Sequence, residues 1–407
     1  MIAAIERMTG VKWHAQGPAF LVGAGHGATH WVIATIYVIL PFVRDDLGLS
    51  YTEAGSLITV FHAASFSANV GSGAVVDMTG RRVLTQVVSL IIGAAALAMV
   101  GLAEGVWALA GLIVFIGLTN NLWHPAAIAF LSRAYPDNRG YALSIHTLGA
   151  SVGDTLAPLA AGALLAWLTW QGAASANALP VFAMAAVLFA VLGRHEKAVA
   201  ANPATGHGGM GFGDYLSGLA GLLKDRGVVG LCVMTGFRAM CQNGLLVYIP
   251  MLLKNVFGFG PVLLGLALTA MQVGGMIGGP VAGTVSDRSG RKGVVVAGLG
   301  ATVFAVLAVT LIDEPVLLIS AIAVLGLALF AVRPVIHGWA MDMTPDTMHG
   351  SAVSLLFGTQ SAFSMIVPIT GGLIADAFGL IAVFYVLAAA MVLATLIAAM
   401  LPDRRLS

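Results

Sequence analysis

Polar and ionisable side chains recur inside long apolar stretches of this sequence, and four pairs of them are spaced four residues apart. These pairs are His26/His30, Asn120/His124, Arg238/Gln242 and Arg333/His337. Residues at i and i+4 lie on one face of an α-helix, so each pair predicts a polar stripe on an apolar helix. Such groups are costly in apolar surroundings unless they meet water, a partner or a ligand, which makes the stripes candidates for solute binding.

Arg238 is the strongest single candidate for binding an anion. It lies about ten residues, or roughly 15 Å, into its apolar stretch. A guanidinium group stays charged when buried, and its planar fork matches a carboxylate or phosphonate. The alternative is a structural ion pair with Asp154, the one acid deep within a predicted helix. Both interpretations apply if Asp154 and an anionic solute compete for Arg238.

Side chains that can titrate near neutral pH predict a route for protons. Imidazole titrates in this range and a buried carboxyl can be shifted into it, so His30, His146 and Asp154 are the predicted proton-coupling residues. The spacing of His26 and His30 also suits a metal ion. However, no Cys or Glu accompanies them, and two histidines fill half a typical coordination shell. We therefore expect no metal and no other cofactor, with a metal site as the alternative.

Other polar residues complete the predicted solute cavity. Arg333 precedes Pro334 as His124 precedes Pro125, and it has two interpretations, a cavity role or a side chain that reaches the membrane surface. Asp342, near the end of the same predicted helix, is expected to cap or pair rather than to bind solute. The full predicted set is His26, His30, Asn120, Asn121, His124, Arg238, Gln242, Asn243, Arg333, His337 and Gln360.

Composition identifies the environment of these residues as a bilayer. Of the 407 residues 59% are hydrophobic and only 9% charged, against about 25% charged in soluble domains. Mean hydropathy is +0.95. The net charge of +1 gives no basic excess for nucleic acid, so lipid is the expected partner.

Twelve apolar runs are long enough to span a membrane. They lie near 18–43, 52–76, 83–103, 106–132, 140–168, 174–193, 228–253, 262–286, 294–312, 315–341, 350–376 and 380–401. A polar, Gly-rich break at 194–227 predicts a linker. The predicted organisation is a cytoplasmic segment 1–17, a six-helix bundle 18–193, the linker 194–227, a second six-helix bundle 228–401 and a tail 402–407.

The distribution of Lys and Arg predicts orientation. If both termini are cytoplasmic, all but four of the 19 basic residues lie on the cytoplasmic side. The exceptions are Arg44 and Lys254 in outer loops and Arg238 and Arg333 within helices. This asymmetry fits the positive-inside rule and predicts a multi-pass protein of the inner (plasma) membrane.

The two halves repeat at a spacing of 210 residues. The string Gly73, Asp77, Gly80, Arg81, Arg82 recurs as Gly283, Asp287, Gly290, Arg291, Lys292. Because each half has an even number of spans, the repeats are parallel. The fold expected is an all-α polytopic membrane protein of twelve transmembrane helices in two parallel six-helix repeats, an organisation typical of transporters rather than enzymes.

The doubled string G-x-x-x-D-x-x-G-R-[RK], at Gly73–Arg82 and Gly283–Lys292, resembles the loop signature of the major facilitator superfamily. The resemblance implies the major facilitator fold, with helices 1, 4, 7 and 10 lining a central cavity. It also implies that Asp77 with Arg81, and Asp287 with Arg291, form a conformational latch.

The first half is most similar to the fosmidomycin-resistance type of exporter. The similar residues are Gly25-His26, His124-Pro125, Ser144-Ile145, Gly149, Gly153 and Pro158. His30 is a departure, because relatives often carry an acid near this place. The glycines of helix 5 are interpreted as an exporter element, with close helix packing as the alternative.

The predicted function is a proton-coupled antiporter that exports a small anionic or amphiphilic organic compound by alternating access. The expected partners are that solute, protons and lipid, and the expected state is a monomer. Alternatives are a symporter or exchanger that imports an organic anion, and a metal or metal-chelate transporter or metal-dependent membrane enzyme that uses the histidines.

Overall fold

The computed structural model describes residues 6, 9–193, 217, 220–344 and 349–403. This part of the chain forms a short 3-10 helix, Trp13–Ala15, and twelve α-helices. In chain order these are α1 Gly17–Asp46, α2 Tyr51–Thr79, α3 Arg82–Val100, α4 Val106–Ala134, α5 Arg139–Leu165, α6 Trp170–Leu192, α7 Arg226–Asn255, α8 Pro261–Ser289, α9 Arg291–Val309, α10 Pro315–Asp342, α11 His349–Phe378 and α12 Leu380–Met400.

The prediction of twelve helices is confirmed, and the predicted ranges agree with the observed ends to within about one helical turn. By length and composition, ten helices in the described ranges can cross a membrane. The two that fall outside this criterion are α2 and α7. No strand occurs in the described ranges.

Helix ends are set by local side-chain hydrogen bonds. Asp225 caps α7 by accepting from the backbone N–H groups of Gly227 and Val228, and Glu314 caps α10 through Leu317 N–H. At the start of α2, Ser50 and Glu53 bond each other's backbone N–H groups reciprocally, the pattern of a capping box. These contacts satisfy amide groups that the first helical turn leaves without partners.

The repeated sequence string has the same backbone role in both halves. Gly80 lies between α2 and α3 with φ +63°, and Gly290 lies between α8 and α9 with φ +94°. Side chains with a Cβ adopt such angles at a cost, so glycine suits both turns. The repeat therefore encodes one tight turn twice.

The chain divides into two compact units. Unit 1 comprises Met1–Leu47 and Val60–Thr205, and unit 2 comprises Gly48–Thr59 and Gly206–Ser407. The segment 48–59 groups with unit 2, and Asp376 of α11 accepts hydrogen bonds from Tyr51 and Thr52 in this segment. Most of the predicted linker, 194–216 with 218 and 219, and the tail from 404 lie outside the described residues.

Within unit 1, α1 and α5 approach each other through glycine. A Cβ added at Gly149 would overlap the carbonyl oxygen of Gly23, and one added at Gly153 would overlap that of Gly27. Close helix packing thus accounts for both glycines of α5 that resemble the exporter element. The same contact brings the polar faces of α1 and α5 together.

Candidate functional site

Four histidines from three helices meet inside unit 1. His26 of α1 stacks on His146 of α5, with ring centroids 3.8 Å apart and planes 10° apart. The rings of His30 and His124 stand edge-on to His26 at 4.8 and 4.9 Å. His26 and His146 are buried. The cluster joins residues up to 120 positions apart in sequence.

Hydrogen bonds to backbone carbonyls fix the tautomers of His26 and His124. Nδ1 of His26 lies 2.7 Å from the carbonyl oxygen of His146, and Nδ1 of His124 lies 3.0 Å from that of Asn120. A carbonyl oxygen accepts hydrogen bonds and never donates them, so both Nδ1 atoms carry hydrogen. In a neutral ring, the lone pair is then on Nε2.

These two Nε2 atoms face each other at 3.2 Å. Two neutral rings would oppose their lone pairs at this distance, which is repulsive. One added proton turns the contact into an N–H···N hydrogen bond, and a bound cation turns it into a pair of metal ligands. The facing lone pairs of His26 and His124 can therefore accept one proton or one cation between them.

His30 of α1 and Asp154 of α5 form a second polar contact in unit 1. Nδ1 of His30 lies 3.0 and 3.1 Å from the two carboxylate oxygens of Asp154. Both side chains keep about a quarter of their surface exposed, 26% and 28%. The structure thus brings together two of the three residues predicted to couple protons, and water can reach them.

His146, the third predicted proton-coupling residue, positions the cluster. Its Nε2 accepts from the indole Nε1 of buried Trp123, at 3.2 Å, and its carbonyl oxygen orients His26. Trp123 was not among the predicted site residues, although it immediately precedes His124 and so lies beside the polar stripe of α4. Asn120 lines a small cavity with Thr29 and Ser89.

Two of the predicted amides bond other helices. The side-chain nitrogen of Asn121 donates to both the carbonyl and hydroxyl oxygens of Ser65 on α2. That of Asn243 donates to the hydroxyl of Ser364 on α11, at 2.8 Å. Their donor groups hold helices together within each unit.

Arg238 is the most deeply buried cation of unit 2. It is 3% exposed, and its Nη1 donates to the carbonyl oxygen of Leu329 on α10 at 3.3 Å. No carboxylate among the described residues pairs with it. One turn further along α7, the buried Oε1 of Gln242 has no protein partner in the described ranges. Both groups have unused hydrogen-bonding capacity.

Arg333 on α10 adds positive potential near Arg238 and near His337. Arg333 is exposed and His337 partly so, with the His337 ring 5.3 Å from that of Phe357 on α11. Gln360, also on α11, is half-buried. Two guanidinium groups, those of Arg238 and Arg333, therefore act on this region of unit 2.

The predicted latch residues of unit 2 are in contact. Arg291 pairs with Asp287 at the end of α8 and with Asp342 at the end of α10. Its Nη1 also donates to the hydroxyl of Ser286. In unit 1, Arg81 is exposed, and the side chain of Asp77 lies outside the described part of the structure.

Sequence comparison places the chain in a family. A profile of the Major Facilitator Superfamily matches residues 22–266 and 231–406. The chain is 26% identical over 396 residues to a Haemophilus influenzae protein named "Putative metabolite transport protein", and the match covers 92% of this chain and 95% of that protein.

Solved structures share the fold at low identity. A bacterial homologue of the human lysosomal transporter Spinster, inward-facing and unoccupied, matches with TM-score 0.82 and 15% identity, over 98% of this chain and 99% of that one. The nucleoside transporter NupG matches with TM-score 0.77 and 13% identity, over 95% and 100%. Together with the profile, these likenesses confirm the predicted all-helical transporter fold. The chain belongs to the major facilitator superfamily and is a polytopic secondary transporter rather than an enzyme.

Proposed function

We propose that the protein is a proton-coupled antiporter of the inner membrane, with both termini cytoplasmic, that exports a small anionic or amphiphilic organic compound. Unit 2 supplies the charge that binds the solute, and unit 1 supplies the groups that bind the proton. The fosmidomycin-resistance type of exporter is the subfamily it resembles, through Gly25-His26 and the Ser144-Ile145 element.

The observation that carries this proposal is the burial of Arg238 with few hydrogen-bond acceptors around it. Arg238 is 3% exposed and its guanidinium bonds a single carbonyl, so most of its five donors have no acceptor among the residues that the structure describes. Burying an uncompensated charge is costly, and a bidentate carboxylate or phosphonate would offset that cost. Gln242, one turn away, can accept from a donor on the same solute.

Proton coupling rests on His30 and Asp154. The pair can hold a proton on imidazole while the carboxylate stays charged, and partial exposure gives water a path to it. Ionisable groups within membrane helices commonly serve as such relays. Arg238 and the His30–Asp154 pair therefore provide the two charges that an anion–proton exchanger needs.

Binding can be tested on the purified protein with a panel of radiolabelled mono- and dicarboxylates and phosphonates. We expect at least one to bind wild type and to lose at least tenfold in affinity with Arg238→Gln. The matched control is Arg226→Gln, which removes an exposed arginine from the same helix and should leave binding unchanged. Equal affinity in wild type and Arg238→Gln would remove Arg238 from the site.

Coupling can be tested in proteoliposomes loaded with the anion so identified. An imposed pH gradient should accelerate its exchange in wild type, whereas Asp154→Asn should transport at a rate independent of the gradient. Asp137→Asn, an exposed acid between α4 and α5, is the control. Transport by wild type that ignores the gradient would contradict the coupling mechanism.

The direction of transport can be determined in cells that lack the protein. Loss of an exporter raises the intracellular level of its substrate and increases sensitivity when that substrate is toxic. A fall in the intracellular level would instead support import by symport or exchange, the alternative that uses the same binding groups.

A further inference from the structure

Three histidines of unit 1 are arranged as metal ligands. His26, His30 and His124 can each offer one ring nitrogen as a ligand, and these three nitrogens all lie within 4.8 Å of one another. The sequence offered only the i, i+4 pair on α1, which is half a coordination shell. The structure adds His124 from α4, so the expectation of a lone pair of histidines was incomplete.

Each of the three rings is oriented by an oxygen that can only accept. Nδ1 of His26 faces the carbonyl of His146, Nδ1 of His124 faces the carbonyl of Asn120, and Nδ1 of His30 faces the Asp154 carboxylate. All three rings therefore carry hydrogen on Nδ1 and leave Nε2 as the lone-pair nitrogen. Carbonyls and carboxylates in this role are the usual second shell of metal-binding histidines, and they fix both the tautomer and the ring direction.

The measured separation also suits a metal. Zn–N bonds of about 2.0–2.1 Å at a tetrahedral angle place two ligand nitrogens about 3.3–3.4 Å apart. Nε2 of His26 and Nε2 of His124 are 3.2 Å apart. A hydrogen bond explains this one distance equally well, but it does not explain why the nitrogens of three rings converge.

We propose that His26, His30 and His124 bind one divalent transition-metal ion of the Zn²⁺ class, with Asp154 in the second shell. Three imidazoles and no carbonyl or carboxylate ligand favour Zn²⁺, Co²⁺, Ni²⁺ or Cu²⁺ over Mg²⁺ or Ca²⁺. The ligand set leaves a fourth position open for water or a solute. This goes beyond the proposed anion–proton exchange, because it requires neither Arg238 nor any organic substrate.

A bound metal would compete with protons for the same nitrogens. Metal ligation requires neutral imidazoles, so a bound ion excludes protons from these nitrogens. The ion would also fix α1 to α4. We therefore expect Zn²⁺ to inhibit proton-coupled transport.

The test is Zn²⁺ titration of the purified, metal-stripped protein after removal of any affinity tag, by calorimetry and by visible absorption of the Co²⁺ form. We expect one ion per chain with tetrahedral Co²⁺ bands. Separate His26→Gln, His30→Gln and His124→Gln variants should each bind at least tenfold more weakly. His14→Gln, which alters an exposed histidine before α1, should bind like wild type.

Asp154→Asn separates a second-shell role from general damage, since it keeps all three ligands. Its Zn²⁺ affinity should fall about 10–100-fold while the Co²⁺ bands persist at saturation. Thermal unfolding and size-exclusion profiles verify that each variant is folded. Wild type that binds no Zn²⁺, or folded His124→Gln that binds it as tightly as wild type, would overturn the proposal.

Discussion

Nε2 of His26 and Nε2 of His124 lie 3.2 Å apart, while the Nδ1 atoms of both rings face carbonyl oxygens. The carbonyls determine where the hydrogens are, so the facing nitrogens cannot both be neutral without lone-pair repulsion. The contact joins α1 and α4, the two helices of unit 1 on which the i, i+4 spacing predicts polar stripes.

We predict that the neutral rings of His26 and His124 both carry hydrogen on Nδ1. Solution ¹⁵N NMR of histidine-labelled, metal-free protein in detergent should show both rings as the Nδ1–H tautomer with Nδ1 hydrogen-bonded. In His124→Gln, the amide can donate to His26 itself, so His26 should appear as a neutral ring with a lone pair on Nε2. A neutral His26 ring in wild type with hydrogen on Nε2 and the lone pair on Nδ1 would contradict this tautomer assignment.

We predict that Gly149→Ala separates α1 from α5. The new Cβ would overlap the carbonyl oxygen of Gly23, and overpacking of this kind costs about 1–3 kcal/mol. The unfolding temperature should fall. Because the same helix pair carries His30 and Asp154, proton-coupled transport should fall as well.

Gly140→Ala is the matched control for Gly149→Ala, since it lies in the first turn of α5 with no atom near its Cβ. It should keep wild-type stability and transport. Equal unfolding temperatures for the two variants would show that the α1–α5 contact tolerates a methyl group.

Hydropathy and charge placement were sufficient to predict the twelve helices, because each run must cover the bilayer with apolar residues. They could not predict the rotation of each helix about its axis. His30 and Asp154 were both predicted as proton-coupling residues, but the partner expected for Asp154 in an ion pair was Arg238. The observed pairing depends on the close approach of glycines 23 and 27 to glycines 149 and 153.

The amide side chains show a second feature that the sequence could not predict. Asn121 and Gln242 are equally polar and both lie in apolar helices, yet Asn121 bonds Ser65 while the Oε1 of Gln242 lacks a protein partner. Composition along one helix cannot distinguish a side chain that joins helices from one that faces a solute. That difference depends on which neighbour stands opposite, 56 residues away for Asn121.

We predict that Arg291→Gln weakens transport more than stability. Arg291 joins the ends of α8 and α10 through Asp287 and Asp342, and partly exposed pairs of this kind contribute about 0.2–1 kcal/mol each. The unfolding temperature should therefore fall only slightly. Transport should fall severalfold if the α8–α10 contact must form and break in each cycle, because the contact biases a conformational equilibrium.

Arg288→Gln controls for the loss of one positive charge near Arg291. Arg288 is exposed on the last turn of α8, and its replacement should change neither transport nor stability. If transport by Arg291→Gln falls only in proportion to its amount of folded protein, the contact of Arg291 with Asp287 and Asp342 has a structural role alone.

The start of α2 depends on an acid more than 300 residues away. The carboxylate of Asp376, in the last turn of α11, accepts from the backbone N–H groups of Tyr51 and Thr52 at 2.9 Å and from the hydroxyl of Thr52 at 2.6 Å. These N–H groups lie at the positive end of the α2 dipole, where a carboxylate is favourable. We predict that Asp376→Ala lowers the free energy of unfolding by about 0.5–2 kcal/mol, as the loss of other helix caps does.

Thermal or denaturant unfolding of the purified protein measures this effect. Asp313→Ala, at an exposed acid before α10, removes the same charge without a cap and should unfold like wild type. Asp376→Asn retains an oxygen that can accept one of the N–H groups but loses the charge, so its stability should lie between wild type and Asp376→Ala. If Asp376→Asn is only as stable as Asp376→Ala, the charge of Asp376 matters more than its hydrogen bonds. If both variants are as stable as wild type, the capping box of Ser50 and Glu53 alone fixes the start of α2.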